Sequence, residues 1–167
     1  MSLRLILTRH AKSSWDHNGP DHDRPLNERG RNDAPRIGKW LRDHDYVPDQ
    51  IQCSSAARAV ETCARIGFDT VPDTIARLYL ASPDTMLKQL QQAQGQTVLM
   101  IAHNPGIADF AAQLATTPPT HDGFFRYPTC ATTLFDFDIT TWADLRFGNG
   151  TVLDFMVPRD LTNPTPQ

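Results

Sequence analysis

The chain has 167 residues, of which 21% are charged and 40% are hydrophobic, and its formal net charge is -3 at pH 7. This length suits one domain and is sufficient to bury a core without disulfides or a structural metal. The slightly negative charge excludes a global basic field for nucleic acid or an anionic membrane surface, so any anion site must be local.

Three features of the sequence predict the cellular compartment of the protein. The start, MSLRLILTRH, has too short an apolar run for a secretory signal, and no stretch approaches the roughly 20 apolar residues that a membrane span needs. Cys53, Cys63 and Cys130 are odd in number and scattered, which favours free thiols. We therefore expect a cytoplasmic protein that binds neither nucleic acid nor membrane.

The first half of the chain alternates apolar runs with helical patterns. The predicted elements are strands at 3–8 and 51–54 and helices at about 29–44 and 56–66. Gly, Pro and Asp residues indicate a loop at 16–28. Pro35 is expected in the first turn of its helix, where a missing N–H costs nothing. Ser54 or Ser55 is expected to cap the second helix.

The second half continues this alternation and then changes to a pair of strands. The predicted elements are helices at 83–94, capped by Ser82, and 107–114, and strands at 97–102, 132–139 and 151–157. Residues 1–161 are predicted to form a single domain, and 162–167, TNPTPQ, a disordered tail. The whole pattern predicts an α/β fold, a three-layer α/β/α sandwich with a mostly parallel mixed sheet.

Basic side chains follow three of the predicted elements. Arg9 and His10 end the first strand, Arg58 lies in the first turn after the second strand, and His103 ends the strand at 97–102. Ligands of open α/β sheets bind beyond the carboxyl ends of the strands, where helix N-termini and arginines favour phosphate. A neutral imidazole among arginines can act as a nucleophile toward phosphorus.

Four ordered blocks, LTRHAKS, DHDRPLNERG, CSSAARAVET and IAHNPG, resemble the histidine phosphatase superfamily with the phosphoglycerate mutase-like fold, and most of all its short, SixA-type phosphohistidine phosphatase branch. The resemblance extends over about residues 3–161. It implies that His10 is the nucleophile that takes up phosphate, that Arg9 and Arg58 bind the phosphate, and that His103 contacts the phosphoryl oxygens. The scheme requires no metal and no other cofactor.

One feature departs from the family pattern. Relatives of this branch often carry a glutamate after the tyrosine of the segment written here as LYLASPD, and this chain has Leu80 there. Asp84 lies four residues further, at a predicted helix start where aspartate is common anyway. Because an alcohol leaving group needs a proton donor more than an imidazole does, the missing acid favours a phosphoramidate or an activated phosphate over a sugar phosphate.

The resemblance therefore implies a phosphatase acting on a phosphorylated protein, such as a histidine-containing phosphotransfer protein, with inorganic phosphate as product. A phosphatase of a small organic phosphate and a non-catalytic phosphoprotein-binding module are the alternatives. A binding module would need the two arginines but not both histidines. The presence of both His10 and His103 therefore favours an enzyme.

Further candidates for substrate binding are Lys12, Ser13, Arg24 and Asn104. Lys12 can equally be a solvated surface lysine, and Arg24 can equally form a surface ion pair with Asp23. The segment DHNGPDHD at 16–23 has two histidines and three aspartates, but its spacing fits neither a calcium loop nor a helical zinc site. We therefore interpret it as a solvated loop and expect no metal.

Overall fold

The computed structural model describes residues 2–161, which build one six-stranded sheet. Its strands are β1 (Leu3–Arg9), β2 (Gln50–Ser54), β3 (Pro72–Ile75), β4 (Thr97–Ala102), β5 (Thr132–Phe137) and β6 (Thr151–Met156). The strand order is β3-β2-β4-β1-β5-β6. Strands β1 to β4 pair in parallel, and β5 pairs antiparallel with both β1 and β6. The predicted mixed, mostly parallel sheet with a terminal hairpin is confirmed.

Helices cover both faces of this sheet. They are α1 (Glu28–Asp43), α2 (Ala57–Ile66), α3 (Pro83–Gln91), α4 (Gly106–Leu114) and α5 (Pro158–Leu161). One core packs α1 and α2 against side chains such as Ile6 and Leu99. The other packs α3 and α4 against the opposite face, at neighbours such as Leu5 and Val98. Successive side chains along each strand point to opposite faces of the sheet, so both faces are apolar and each is covered by helices. This gives the predicted three layers.

Four details of the sequence prediction need correction. Strand β3 was not predicted, because its sequence PDTI has no apolar run and lies exposed at the edge of the sheet. The short helix α5 was also missed. Helix α1 begins at Glu28, capped by Asn27, so that Pro35 lies inside the helix and not in its first turn. Neither Ser54 nor Ser55 caps α2 through its side chain, and the N-cap residue is Ala56.

Three further predictions concern the tail, membrane-spanning segments and the cysteines. The predicted disordered tail at 162–167 lies outside the described residues. Within residues 2–161, no helix is both long enough and apolar enough to cross a membrane. The three cysteines are unpaired and buried.

The sheet order decides where a ligand can bind. Strands β2, β4 and β1 are direct neighbours and run parallel, so their carboxyl ends meet at one edge of the sheet. The loops after these three strands contain the basic residues that the sequence singles out. The fold therefore assembles one site from segments far apart in the chain.

Close packing of α1 on α2 depends on Gly38. A Cβ at this position would lie 2.2 Å from the Ile66 carbonyl oxygen, so an alanine must push the helices apart. We expect Gly38→Ala to lower the free energy of unfolding by about 1–3 kcal/mol in denaturant titration. The control Lys39→Ala, on the exposed face of the same helix, should change it by less than about 0.5 kcal/mol. Equal effects would contradict the tight approach of the two helices.

Candidate active site

The carboxyl ends of the three neighbouring strands border one cavity of about 370 Å³. Arg9 ends β1 and His10 follows it, Arg58 lies in the first turn of α2, and His103 follows β4. All four side chains line the cavity, which we call the active-site cavity. The structure thus brings together the four residues that the sequence predicts for phosphate chemistry.

His10 is held as a neutral imidazole with a defined tautomer. Its Nδ1 lies 2.7 Å from the carbonyl oxygen of Ala11. Because a carbonyl oxygen can only accept, Nδ1 carries the proton and Nε2 keeps the lone pair. Burial lowers the pKa of His10 well below its usual range, and the charges of Arg9 and Arg58 act in the same direction. The geometry therefore supplies a nitrogen lone pair at neutral pH.

His103 lies beside His10, with 5.0 Å between the ring centroids. Its Nε2 is 2.7 Å from Ser54 Oγ, and that hydroxyl accepts a hydrogen bond from the backbone N–H of Ala56 at 3.3 Å. Burial and the neighbouring Arg58 lower the pKa of His103 to about 3. Ser54, which the sequence suggests as a helix cap, thus orients the second imidazole.

Several hydrogen-bonding atoms around this cavity lack a protein partner. Arg9 Nε, Arg58 Nε and His103 Nδ1 are buried and have no hydrogen bond to any residue between 2 and 161. Buried polar atoms are normally satisfied in folded proteins, so three unsatisfied ones on residues that line one cavity favour a ligand site there. An oxyanion offers the acceptors that these groups need.

Asp21 is a cavity residue that sequence reasoning missed. Its carboxylate accepts from Arg58 Nη2 at 3.0 Å, from Arg24 Nη2 at 3.0 Å and from the Tyr79 hydroxyl at 2.5 Å. These bonds, that of Tyr79 first, hold the pKa of Asp21 far below its usual range. Asp21 stands in the loop interpreted as solvated, and the one sequence signal was its position inside the DHDRPLNERG block.

The remaining predicted residues also line the active-site cavity, namely Lys12, Ser13, Arg24 and Asn104. Arg24 is buried, and its ion pair is formed with Asp21 and not with Asp23, while its Nη1 contacts Ser13 Oγ. Asn104 donates through Nδ2 to the carbonyl oxygens of Arg126 and Tyr127. Trp15, whose ring lies 4.0 Å from the Arg24 guanidinium carbon, completes this part of the wall.

No protonated carboxylic acid stands over the cavity in the described part of the chain. Leu80 forms part of its wall, whereas Asp84 does not line it. Asp21 is the one carboxylate among the lining residues of the described chain, and its ion pairs keep it ionised. In the segment 16–23, His22 bonds Ser55 Oγ at 2.9 Å. Among residues 2–161, no group of three or more His, Cys, Asp or Glu side chains is arranged to hold a metal ion.

Comparison with known proteins identifies the family. The family model described as histidine phosphatase superfamily (branch 1) matches residues 5–78. An uncharacterized protein of Mycobacterium tuberculosis is 33% identical over 158 residues, which span 90% of this chain and 99% of that protein. The chain belongs to the histidine phosphatase superfamily. The protein is thus a phosphatase, and its fold is phosphoglycerate mutase-like.

Solved structures similar to this histidine phosphatase include two that are assigned as SixA phosphohistidine phosphatases. The Nakamurella multipartitia structure is 26% identical with a TM-score of 0.83, and the match covers 95% of this chain and 97% of that chain. The Agrobacterium tumefaciens structure is 28% identical with a TM-score of 0.74, covering 93% and 98%. The resemblance to the SixA branch that the sequence motifs suggested is confirmed.

The lowered pKa values of His10 and His103 can be measured directly by NMR. In ring-labelled protein, the signals of both imidazoles should stay at their neutral positions between about pH 5 and pH 8, whereas a free histidine peptide titrates near pH 6.5. Because the unfolded chain binds more protons below that pH, the free energy of unfolding should fall as the solution is acidified. A midpoint between pH 6 and pH 7 for either ring would contradict this assignment.

Because Asp21 pairs with Arg24 and Arg58, we expect it to compete with an anion that enters the cavity. Asp21→Asn keeps the size of the side chain and removes its charge, so inorganic phosphate should inhibit about three- to tenfold more tightly. The control Asp23→Asn removes the same charge two residues away, from a side chain that does not line the cavity. Inhibition constants for phosphate provide the measurement. Weaker phosphate binding in Asp21→Asn alone would show that Asp21 acts mainly by holding Arg58 in place.

Proposed function

We propose that this enzyme hydrolyses phosphohistidine on a protein through a covalent phosphohistidine intermediate on His10. The observation that carries the proposal is the neutral His10 ring, with its lone pair on Nε2, in a cavity lined by Arg9 and Arg58. A nucleophile, two phosphate-binding cations and a second imidazole are the components that phosphoryl transfer requires.

The reaction proceeds in two displacement steps. The His10 Nε2 lone pair attacks phosphorus and the bond from phosphorus to the substrate nitrogen breaks. The substrate imidazole takes a proton from solvent on its other ring nitrogen and leaves as a neutral ring, with the electron pair on the nitrogen that carried the phosphate. Water then attacks the phosphorus on His10, loses a proton to solvent, and the P–Nε2 bond breaks. The products are the unmodified protein and inorganic phosphate, and His10 regains its lone pair.

Electrostatic stabilisation comes from residues that are positioned before substrate arrives. Arg9 and Arg58 bind the phosphoryl oxygens, on which charge accumulates in the transition state. We propose that the hydroxyl of Ser54, which accepts from the Ala56 N–H, donates its own proton to His103 Nε2, 2.7 Å away. This order leaves the proton of His103 on Nδ1, where it can donate to the phosphoryl group. Ser54 is therefore a positioning residue for His103.

The leaving group follows from the acid–base chemistry of the cavity. An alkoxide leaving group requires a strong proton donor, whereas Asp21 is ionised and Leu80 carries no proton to give. An imidazole leaves without a dedicated carboxylic acid, because its nitrogen is far less basic than an alkoxide. The similarity to structures assigned as SixA phosphohistidine phosphatases supports the same substrate. Lys12, Ser13, Arg24 and Asn104 are proposed to contact the substrate around the phosphate.

The proposal is tested with the wild-type enzyme and His10→Ala on phosphohistidine and phosphoserine peptides of the same sequence. We expect wild-type hydrolysis of the phosphohistidine peptide to be at least about 100-fold faster, and an acid-labile phosphoenzyme to be trapped by rapid quenching. His10→Ala should show neither hydrolysis nor label, because no other group carries the phosphate. The control His44→Ala, on an exposed histidine at the end of α1, should retain both.

Three results would overturn the proposal in different ways. Acid-stable label on a serine would contradict the mechanism at His10. Equal or faster hydrolysis of phosphoserine would leave the mechanism intact and transfer the assignment to the alternative, a phosphatase of organic phosphate esters. A protein that binds phosphopeptides without turning them over would be a non-catalytic phosphoprotein-binding module.

A further inference from the structure

A second cavity, of about 380 Å³, adjoins the active-site cavity. The two cavities share Arg9 and Thr129 as lining residues. The second is lined by four arginines, and we call it the arginine pocket: Arg9, Arg29, Arg126 and Arg159. A cavity of this size is typical of sites that take a small group or a side chain of a larger ligand.

The charge of the arginine pocket is unusual for this chain. Four of the 16 lysines and arginines of a protein with net charge -3 line this one cavity. No carboxylate of the described residues lines it, since Asp33 and Asp160, which pair with the lining residues Arg29 and His121, lie outside the lining. Such a concentration of guanidinium groups attracts an anion.

Arg126 contributes a cation that no described residue neutralises. Its side chain has no hydrogen bond or ion pair with any residue between 2 and 161. Arg29, by contrast, lies 3.5 Å from Asp33, a carboxylate that it shares with Arg36. The guanidinium of Arg126 is therefore the one most available to an anionic ligand of this pocket.

The backbone at Arg126 is hydrogen-bonded to residues that line the active-site cavity. Asn104 donates to the carbonyl oxygen of Arg126 at 2.8 Å, and Arg9 Nη1 donates to that of Tyr127 at 3.1 Å. Tyr127 has a φ of 49°, a strained value for a bulky residue. Its buried hydroxyl donates to the Leu7 carbonyl oxygen at 2.6 Å and thereby holds this conformation. The arginine pocket is thus fixed in position relative to His10 and His103.

We propose that the arginine pocket binds an acidic side chain of the substrate protein, near in sequence to the phosphohistidine that enters the active-site cavity. This inference rests on the proposed function, because both groups belong to one substrate molecule. Pro128, Val157 and Pro158 supply apolar wall beside the arginines. The exposed aromatic side chain of Trp15 lines the adjoining active-site cavity. A peptide segment can present an acidic side chain to the arginines and an apolar side chain to this wall at the same time.

The test compares two phosphohistidine peptides that differ only in having Glu or Gln on both sides of the phosphohistidine. For the wild type, kcat/KM on the Glu peptide should be about tenfold higher, which is the effect of one charge-assisted hydrogen bond. In Arg126→Gln the ratio between the two peptides should fall to about one. Each variant's rate on the Gln peptide is its own reference, so a general loss of activity does not disturb the comparison.

Lys88→Gln serves as the matched control, because it removes one exposed positive charge from α3 at a position that lines neither cavity. It should retain the tenfold ratio. Equal rates of the wild type on both peptides, or an unchanged ratio in Arg126→Gln, would overturn the proposal. Loss of the ratio in Lys88→Gln as well would show a general effect of charge and would also overturn it.

A binding measurement separates this proposal from the proposed function. Isothermal titration with the unphosphorylated Glu and Gln peptides does not depend on turnover. The Glu peptide should bind several-fold more tightly to the wild type, and this difference should disappear in Arg126→Gln. Failure of the enzyme to hydrolyse either phosphopeptide, together with this binding difference, would contradict the phosphohistidine substrate alone. Equal binding of both peptides would contradict the pocket alone.

Discussion

The chemistry depends on keeping the His10 imidazole uncharged while it is surrounded by groups that bind an anion. Burial removes water that would stabilise an imidazolium, and Arg9 and Arg58 add positive charge that opposes protonation. The same two guanidinium groups are the natural partners of a phosphoryl group. In the proposed mechanism, one arrangement therefore both activates the nucleophile and binds its substrate.

The arginines in turn require a counter-charge within the fold. Arg58 is almost completely buried, and an unpaired buried guanidinium would destabilise the folded state. Asp21, half exposed at the cavity wall, pairs with Arg58 and Arg24 and accepts from Tyr79. We expect this carboxylate to stabilise the phosphate-free enzyme and to weaken the binding of phosphate, so that the product is released. The arginine pocket has no carboxylate in its lining as far as the described chain extends, which suits binding of an acidic side chain that never reacts.

Sequence patterns located the proposed catalytic residues because their positions are set by strand ends. The apolar runs of β1 and β4 are continuous, so the amino-acid sequence alone places Arg9 and His103 at the carboxyl edge of a sheet. Asp21 and Tyr79 could not be found in this way, because their hydrogen bond joins residues 58 positions apart and neither lies in a periodic element. Strand β3 was missed because it lies exposed at the edge of the sheet, and an exposed edge strand needs no apolar sequence pattern.

The account can be tested by a crystal structure of the enzyme with vanadate, an oxyanion that adopts the geometry of a phosphoryl group in transfer. We expect vanadium bonded to His10 Nε2, with its oxygens accepting from Arg9, Arg58 and His103 Nδ1. Vanadate bonded to another side chain, or held by arginines at a distance from His10, would contradict the central claim that a neutral His10 is the nucleophile.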